Sequence, residues 1–388
     1  MKSDAQLRKA YLLFAALERP LLSRLGIPVT TALLRWRVPG ARLAVRHTVF
    51  AQFCGGESIR ECQGVVEALG AHGVQSILDY SAEGEHTEEG FEAAMRETLA
   101  TIECAASRRH IPFSVFKVTG IARFALLEKL DARQPLTAEE QAEWERVRAR
   151  VLTLCGRAHA LGVRIFVDAE ESWIQDTVDA LAEEMMARFN RERPIVHNTY
   201  QFYRHASLAN LEAALARAEA GGYFFGAKLV RGAYMEKERR RAGEKGYRDP
   251  IQPDKASTDR DYDAGVSRCL AALERASFCA GTHNEESCAR LMREMAARGV
   301  APSDARVWFS QLYGMSDNLS FNLAAGGYNV AKYLPYGPVR AVLPYLVRRA
   351  QENSAIAGQG GREAGLIRRE LARRRQAPRA ALPAGGGR

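Results

Sequence analysis

The 388-residue chain lacks most of the features that announce a function outright. No apolar run approaches the roughly 18–20 residues needed to cross a bilayer. The opening MKSDAQLRKAYLLFAALERP breaks its apolar stretch with charge, so it reads as an amphipathic helix and not as a signal peptide. The expected location is the cytoplasm. The seven cysteines (Cys54, Cys62, Cys104, Cys155, Cys269, Cys279, Cys288) are scattered, odd in number and contain no CxxC. Zinc needs ligands at short, repeated spacings, so no metal site is expected and the thiols read as small core residues. No G-x-G-x-x-G follows a strand, and neither a Walker A motif nor G-x-S-x-G occurs. A Rossmann site, a P-loop and a nucleophile elbow are thereby excluded.

What is present is the profile of a globular enzyme, 47% hydrophobic and 26% charged. The formal charge of +9 raises the question of nucleic acid, but eight Arg against two Glu in residues 361–388 supply two thirds of it. The rest of the chain is close to neutral and carries no recognition motif, so nucleic acid is not an expected partner. A basic, Gly- and Pro-ending tail over 358–388 reads as a solvated, flexible end. The same tail could rest peripherally on an anionic membrane, at about 1 kcal/mol per basic residue near the lipid.

From residue 75 onward, eight short apolar runs alternate with helical periodicity: QSILDY (75–80), FSVFKV (113–118), RIFVDA (164–169), IVHNTY (195–200), FGAKLV (225–230), FCAGTH (278–283), RVWFSQL (306–312) and NVAKYL (329–334). Such runs suit parallel strands buried on both faces, and eightfold strand–helix alternation predicts an α/β fold, a closed (β/α)8 TIM-type barrel. A doubly wound open sheet is the alternative. The boundaries expected are a helical segment over 1–69, the barrel over 70–357 and the tail beyond. Residues 119–160 are too long for one connection and predict added helices, while 236–257 reads as a charged, Pro-containing loop.

Function in a barrel collects where strands end. The eight exits carry Asp79, Lys117, Asp168, Gln201, Lys228 with Arg231, Thr282-His283-Asn284, Gln311 and Tyr333. In KLVRGAYM (228–235) a strand runs into a Gly-Ala turn flanked by two cations. Small residues admit a planar ligand to the backbone and fixed cations stabilise negative charge on it, although a plain strand-to-loop turn has the same composition. In YLPYGPVRAVLPYLVRRAQEN (333–353), Arg348 and Arg349 sit side by side on a helix, where two guanidinium forks can hold one carboxylate. A solvated pair bridged to Glu352 is the other reading. DAEESW (168–173) places acids at a helix start, as a cap and first turn would. His283 suits either a general base or a neighbour of a cofactor ring.

These stretches resemble the proline dehydrogenases, in particular the monofunctional, FAD-dependent branch. The matching segments, in order, are TVFAQFCGGES, SILDYSAEGE, FKVTG, FVDAEESWIQ, NTYQFY, KLVRGAYMEKER, GYRDPI, GTHNEES and YLPYGPVRAVLPYLVRRAQEN, covering roughly residues 48–355. The resemblance implies FAD at the barrel mouth and L-proline beneath a final capping helix. It implies hydride transfer from the ring carbon beside nitrogen to flavin N5, with Δ1-pyrroline-5-carboxylate as product. Lys117, Arg348 and Arg349 match the cations that hold the proline carboxylate, and Ala233, Tyr234, Leu312 and Tyr333 match the walls around its ring. Lys228 matches the cation near N5, oriented by Asp168. Gln201, Val230, Arg231, Gly232, Ala233, Thr282, His283, Asn284, Gln311 and Glu352 fall at cofactor-contacting positions, and Glu83 at an acid that gates the site. A membrane quinone is the electron acceptor the resemblance implies. Hydroxyproline oxidation is the nearest alternative, followed by a folate-reducing flavin barrel and a non-catalytic scaffold.

Overall fold

Each of the eight apolar runs forms a strand, because its two faces have separate places to be buried. The computed structural model describes residues 3–17, 36, 38–81, 87–355 and 359–376, and their side chains except 17 and 350–360. The strands are β1 (Val74–Tyr80), β2 (Phe113–Phe116), β3 (Arg164–Val167), β4 (Val196–Gln201), β5 (Phe225–Val230), β6 (Ala276–Gly281), β7 (Val307–Leu312) and β8 (Val330–Tyr336). All pair in parallel in sequence order, and β1 closes on β8 with Ile77 opposite Tyr333, giving a closed barrel. One face of each strand packs on helices. The other fills the interior with Ile77, Phe113, Val115, Phe166, Cys279, Trp308, Ala331 and Tyr333.

The end of the barrel where strands begin is plugged. Phe113 stacks on Phe166 with centroids 4.4 Å apart and meets Trp308 edge-on at 5.3 Å. The Arg164 guanidinium covers Phe113 at 4.7 Å and Trp308 at 5.2 Å, a favourable cation–π pairing. Burial there pulls His197 down to about 3 and Arg164 down to about 10. The neutral His197 and the sealed ring stack leave only the opposite end, where strands exit, for a ligand.

The helices, in chain order, are α1 (Asp4–Leu17), α2 (Ala41–Val45), α3 (Ile59–Gly70), α4 (Glu88–Ser107), α5 (Phe124–Asp131), α6 (Ala138–Leu161), α7 (Ser172–Phe189), α8 (Ser207–Gly221), α9 (Met235–Lys245), α10 (Lys255–Ala271), α11 (Glu285–Ala297), α12 (Asp317–Ala325), α13 (Leu343–Ala355) and α14 (Gln359–Gln376). A π-helical turn, Arg46–Phe50, continues α2 and runs on into the short helix Ala51–Phe53. The insertion over 119–160 forms α5 and α6. The second of these starts on a capping box in which Thr137 and Glu140 satisfy each other's backbone N–H, and it stops at Gly162 in the left-handed region.

Contacts divide the chain into two units, Cys54–Ala341 and Met1–Phe53 with Val342–Arg388. These units divide at 53 and 341, where the sequence reading placed boundaries at 69 and 357. The reason is that Cys62, Val66 and Leu69 of α3 belong to the barrel's hydrophobic core, whereas α13 groups with the terminal helices. In that second unit Phe14 meets Phe53 edge-on at 6.0 Å. The tail expected to be flexible is helical as far as Gln376: Glu370 pairs with Arg373 and Arg374 one turn on, and Arg374 reaches Asp4 of α1 at 2.9 Å. Similarly, the loop expected over 236–257 begins as α9. Among the described residues no helix is long and apolar enough to cross a membrane.

Candidate active site at the strand exits

A lysine in the middle of an apolar strand is costly unless its charge is met. Lys228 of β5 faces inward and is 5% exposed. Its ammonium donates to the Asp168 carboxylate, just past β3, and to the Tyr333 hydroxyl of β8 at 3.1 Å. Tyr333 in turn donates to both Asp168 oxygens, at 2.9 and 2.8 Å. The rings of Phe166 and Tyr333 flank the ammonium at 5.1 and 4.5 Å. Three strands thus meet in one buried triad. Burial and the neighbouring Asp168 charge hold the Tyr333 phenol well above its ordinary range, so it stays a proton donor. Beside it, Asp79 at the end of β1 is pushed up by burial, against the opposing charge of Lys117, and accepts from Ser81 at 2.5 Å.

The exits on either side are tied to one another. Gln201 of β4 donates to the Glu170 carbonyl at 2.7 Å and accepts from the Ala233 N–H at 3.2 Å, linking the turns after β3 and β5. Gly232 in that second turn has φ +136°, and a Cβ there would lie 2.5 Å from the Tyr203 ring, so only glycine fits. Arg231 uses its guanidinium on Asp259 at 2.6 Å, Thr282 at 2.6 Å and Ser287 at 2.9 Å. It binds three other segments of the barrel together. Gln311 donates to the Thr282 carbonyl at 3.1 Å and accepts from Ser320 at 2.8 Å. Asn284 caps α11 by accepting from the N–H groups of Glu286 and Ser287.

His283 is held on both ring nitrogens: Nδ1 lies 2.9 Å from the Ser316 hydroxyl, and Nε2 accepts from the Leu312 N–H at 3.4 Å. These two contacts tie the ring to the loop after β7.

The family model described as "Proline dehydrogenase" matches residues 62–362. The chain belongs to the proline dehydrogenase family. It is 37% identical over 322 residues to a carbapenem antibiotics biosynthesis protein of Pectobacterium carotovorum subsp. carotovorum, covering 83% of each chain. To human mitochondrial proline dehydrogenase 1 it is 43% identical over 258 residues, 65% of this chain and 42% of that one. A hydroxyproline dehydrogenase of Xenopus laevis is 33% identical over 379 residues, 87% of this chain and 81% of that one. Among solved structures, proline utilization A from Bdellovibrio bacteriovorus shares the fold with a TM-score of 0.72 at 18% identity, over 88% of this chain and 36% of that one. The chain thus spans less than half of the human protein and about a third of that proline utilization A.

Within this barrel, the residues singled out by sequence fall in different places. Asp168, Lys228 and Tyr333 touch directly, and Gln201, Val230, Gly232, Ala233, Thr282, Gln311 and Leu312 lie on neighbouring exits. Lys117 stands at the start of the short turn Val118–Gly120 after β2, its side chain making no cap there. Arg348 and Arg349 are adjacent on α13, in the other unit; Arg349 is buried with its guanidinium 5.3 Å from the Tyr345 ring centre. Glu83 and the Glu352 side chain lie outside the described residues. Sequence reasoning missed Thr199, which shares the inward face of β4 with His197 and Gln201 and stands opposite Lys228. Among the described residues its hydroxyl is buried without a hydrogen-bond partner, which leaves it able to meet a polar ring edge such as a flavin's. Period-two alternation from His197 could have found it. The acids of DAEESW were expected to cap α7; instead Glu171 makes no side-chain cap, and Glu170 accepts from Thr119.

Burial raises Glu170 to about 7, above the roughly 4.3 of a free glutamate. The folded protein thus keeps a proton that the unfolded chain has already lost. This stabilisation is complete below the unfolded value and is lost as pH rises toward 7, in all about 3 kcal/mol. Glu170→Gln should remove that slope. Urea unfolding at pH 5 and pH 8 measures it, and a parent and variant with equal pH dependence would contradict the assignment.

Proposed function

We propose that this chain oxidises L-proline to Δ1-pyrroline-5-carboxylate with FAD as its cofactor, the first step in converting proline to glutamate. The observation that carries the reading is the buried Lys228–Asp168–Tyr333 triad at the exits of a proline dehydrogenase family barrel. FAD, when bound, supplies a hydride acceptor at N5. Lys228 would face that atom as a fixed positive charge, and Asp168 would keep the ammonium from turning away. Gln201, Val230, Arg231, Gly232, Ala233, Thr282, His283, Asn284, Gln311 and Glu352 are assigned to hold the cofactor, several of them by fixing the backbone that meets it. Lys117, Arg348 and Arg349 are assigned to the substrate carboxylate, since three cations on one carboxylate fix the ring in a reactive pose. Ala233, Tyr234, Leu312 and Tyr333 would wall the ring, and Glu83 would gate it. A membrane quinone is the proposed electron acceptor, approached through the arginines of α14 resting on anionic lipid.

Tyr333 favours proline over hydroxyproline. Its phenol is already committed to Asp168 and Lys228, so a hydroxyl on the substrate ring would lose water and meet an aromatic edge with no spare acceptor. An unpaired hydroxyl costs about 1–3 kcal/mol, so kcat/KM should favour L-proline by roughly ten- to a hundredfold. Tyr333→Ser should narrow that preference. The purified chain should be yellow and release FAD on denaturation. Equal kcat/KM for both substrates on the unmodified chain would overturn the substrate and leave the flavin assignment standing; a colourless chain that takes up no flavin would overturn both.

A further inference from the structure

Helix α9 poses a physical problem. Its sequence, MEKERRRAGEK, is charged at every position except Met235, Ala242 and Gly243, and only Glu238 and Ala242 are buried. A helix of eleven residues gains most of its stability from an apolar face laid on a core, and α9 has none. Its place on the barrel must be fixed by polar contacts.

Those contacts converge on the start of α7. Glu238 is fully buried and accepts from both the N–H and the hydroxyl of Ser172, each at 2.6 Å. Ser172 opens α7, whose own N-cap residue, Glu171, offers no side-chain cap. Glu238 therefore caps α7 from a different helix, with its negative charge at the positive end of the helix dipole. Two further links flank it. Lys237 pairs with Glu171 and lies 5.5 Å from the Phe124 ring, while Arg241 pairs with Glu128 and lies 4.3 Å over Trp173. The hold extends to the strand exits. The Glu238 N–H bonds to the Tyr234 carbonyl at 2.9 Å, one turn earlier, and the Ala233 N–H is tied to Gln201. On the other side, α7 follows directly on the Asp168–Glu171 segment.

We propose that Glu238 is a positioning residue: by capping α7 from α9, it fixes the Ala233–Tyr234 wall relative to Asp168 and thereby sets how tightly the substrate ring is held. This rests on the proline-oxidation reading above. Without Glu238 the Ser172 N–H loses its partner and α9 loses the link made by its buried carboxylate, so the wall loosens while the triad stays intact.

The test compares Glu238→Ala, Glu238→Gln and Ser172→Ala as flavin-loaded proteins. Two quantities are followed: proline KM and kcat, and amide hydrogen exchange over residues 231–245. Loss of a charge-assisted bond at one remove from the substrate should raise KM about tenfold in Glu238→Ala, with kcat close to the parent and exchange accelerated. Glu238→Gln should restore KM to within about threefold, since a carboxamide can accept from the Ser172 N–H and donate to its hydroxyl. If Glu238→Ala does not fold, Ser172→Ala carries the test with a smaller rise in KM and the same exchange signature. A parental KM in the soluble variants, or Ala and Gln variants that behave alike, overturns the positioning role. Failure of the underlying reading looks different, because the unmodified chain would then oxidise no proline.

Discussion

Asp168→Ala should destabilise the fold by about 3–5 kcal/mol, since it leaves the Lys228 ammonium buried without its counter-ion. The pair lies in the barrel interior, with side chains 6% and 13% exposed, so water cannot replace the lost carboxylate. Tyr333 would lose its acceptor at the same time. Turnover should fall with stability, because nothing would then hold the cation proposed to face the cofactor. Adding Lys228→Met to Asp168→Ala removes the orphaned charge and should recover a large part of the stability, though not the activity. Urea denaturation of the parent, both single variants and the double variant gives the coupling energy. A double variant no more stable than Asp168→Ala alone would mean that the two charges are not coupled.

Arg348→Met and Arg349→Met should each raise the proline KM by about ten- to a hundredfold while flavin stays bound, because each removes a charge-assisted bond worth roughly 1.5–3 kcal/mol. Methionine keeps the apolar stem, which matters at Arg349, where the side chain is buried against Tyr345. If both guanidinium groups act on one carboxylate, as proposed, the two losses should not simply add. Steady-state kinetics on the two single variants and the pair decides this. A parental KM in both single variants would make the arginine pair a feature of α13 alone.

The barrel was legible because burial on both faces of a strand leaves a continuous apolar run, and β5 occupies the run FGAKLV as read. Strand ends were less legible. β6 stops at Gly281 and not at 283, because Thr282 and Asn284 spend their side chains on Arg231 and on the cap of α11. β2 stops at Phe116, where Lys117 begins a tight turn. Helices held by charge were missed altogether: α9 and α14 have too little apolar periodicity to be distinguished from a solvated segment. The cap of α7 was misassigned for the same reason, since Glu238 lies 66 residues beyond Ser172. The site itself was half legible. Strand exits marked Asp168, Lys228 and Tyr333 as candidates, and family resemblance supplied their roles. That a single phenol would bridge the other two, 105 and 165 residues away, depends on barrel closure and on no local pattern.

The most direct test of the account is anaerobic mixing of the flavin-loaded chain with L-proline while the visible flavin bands are followed. Oxidation of proline at this site predicts that those bands bleach, that the bleaching rate saturates with proline concentration, and that a pyrroline is recovered from the mixture. Flavin that is bound and reducible by dithionite, yet keeps its full absorbance at saturating L-proline, would contradict the account.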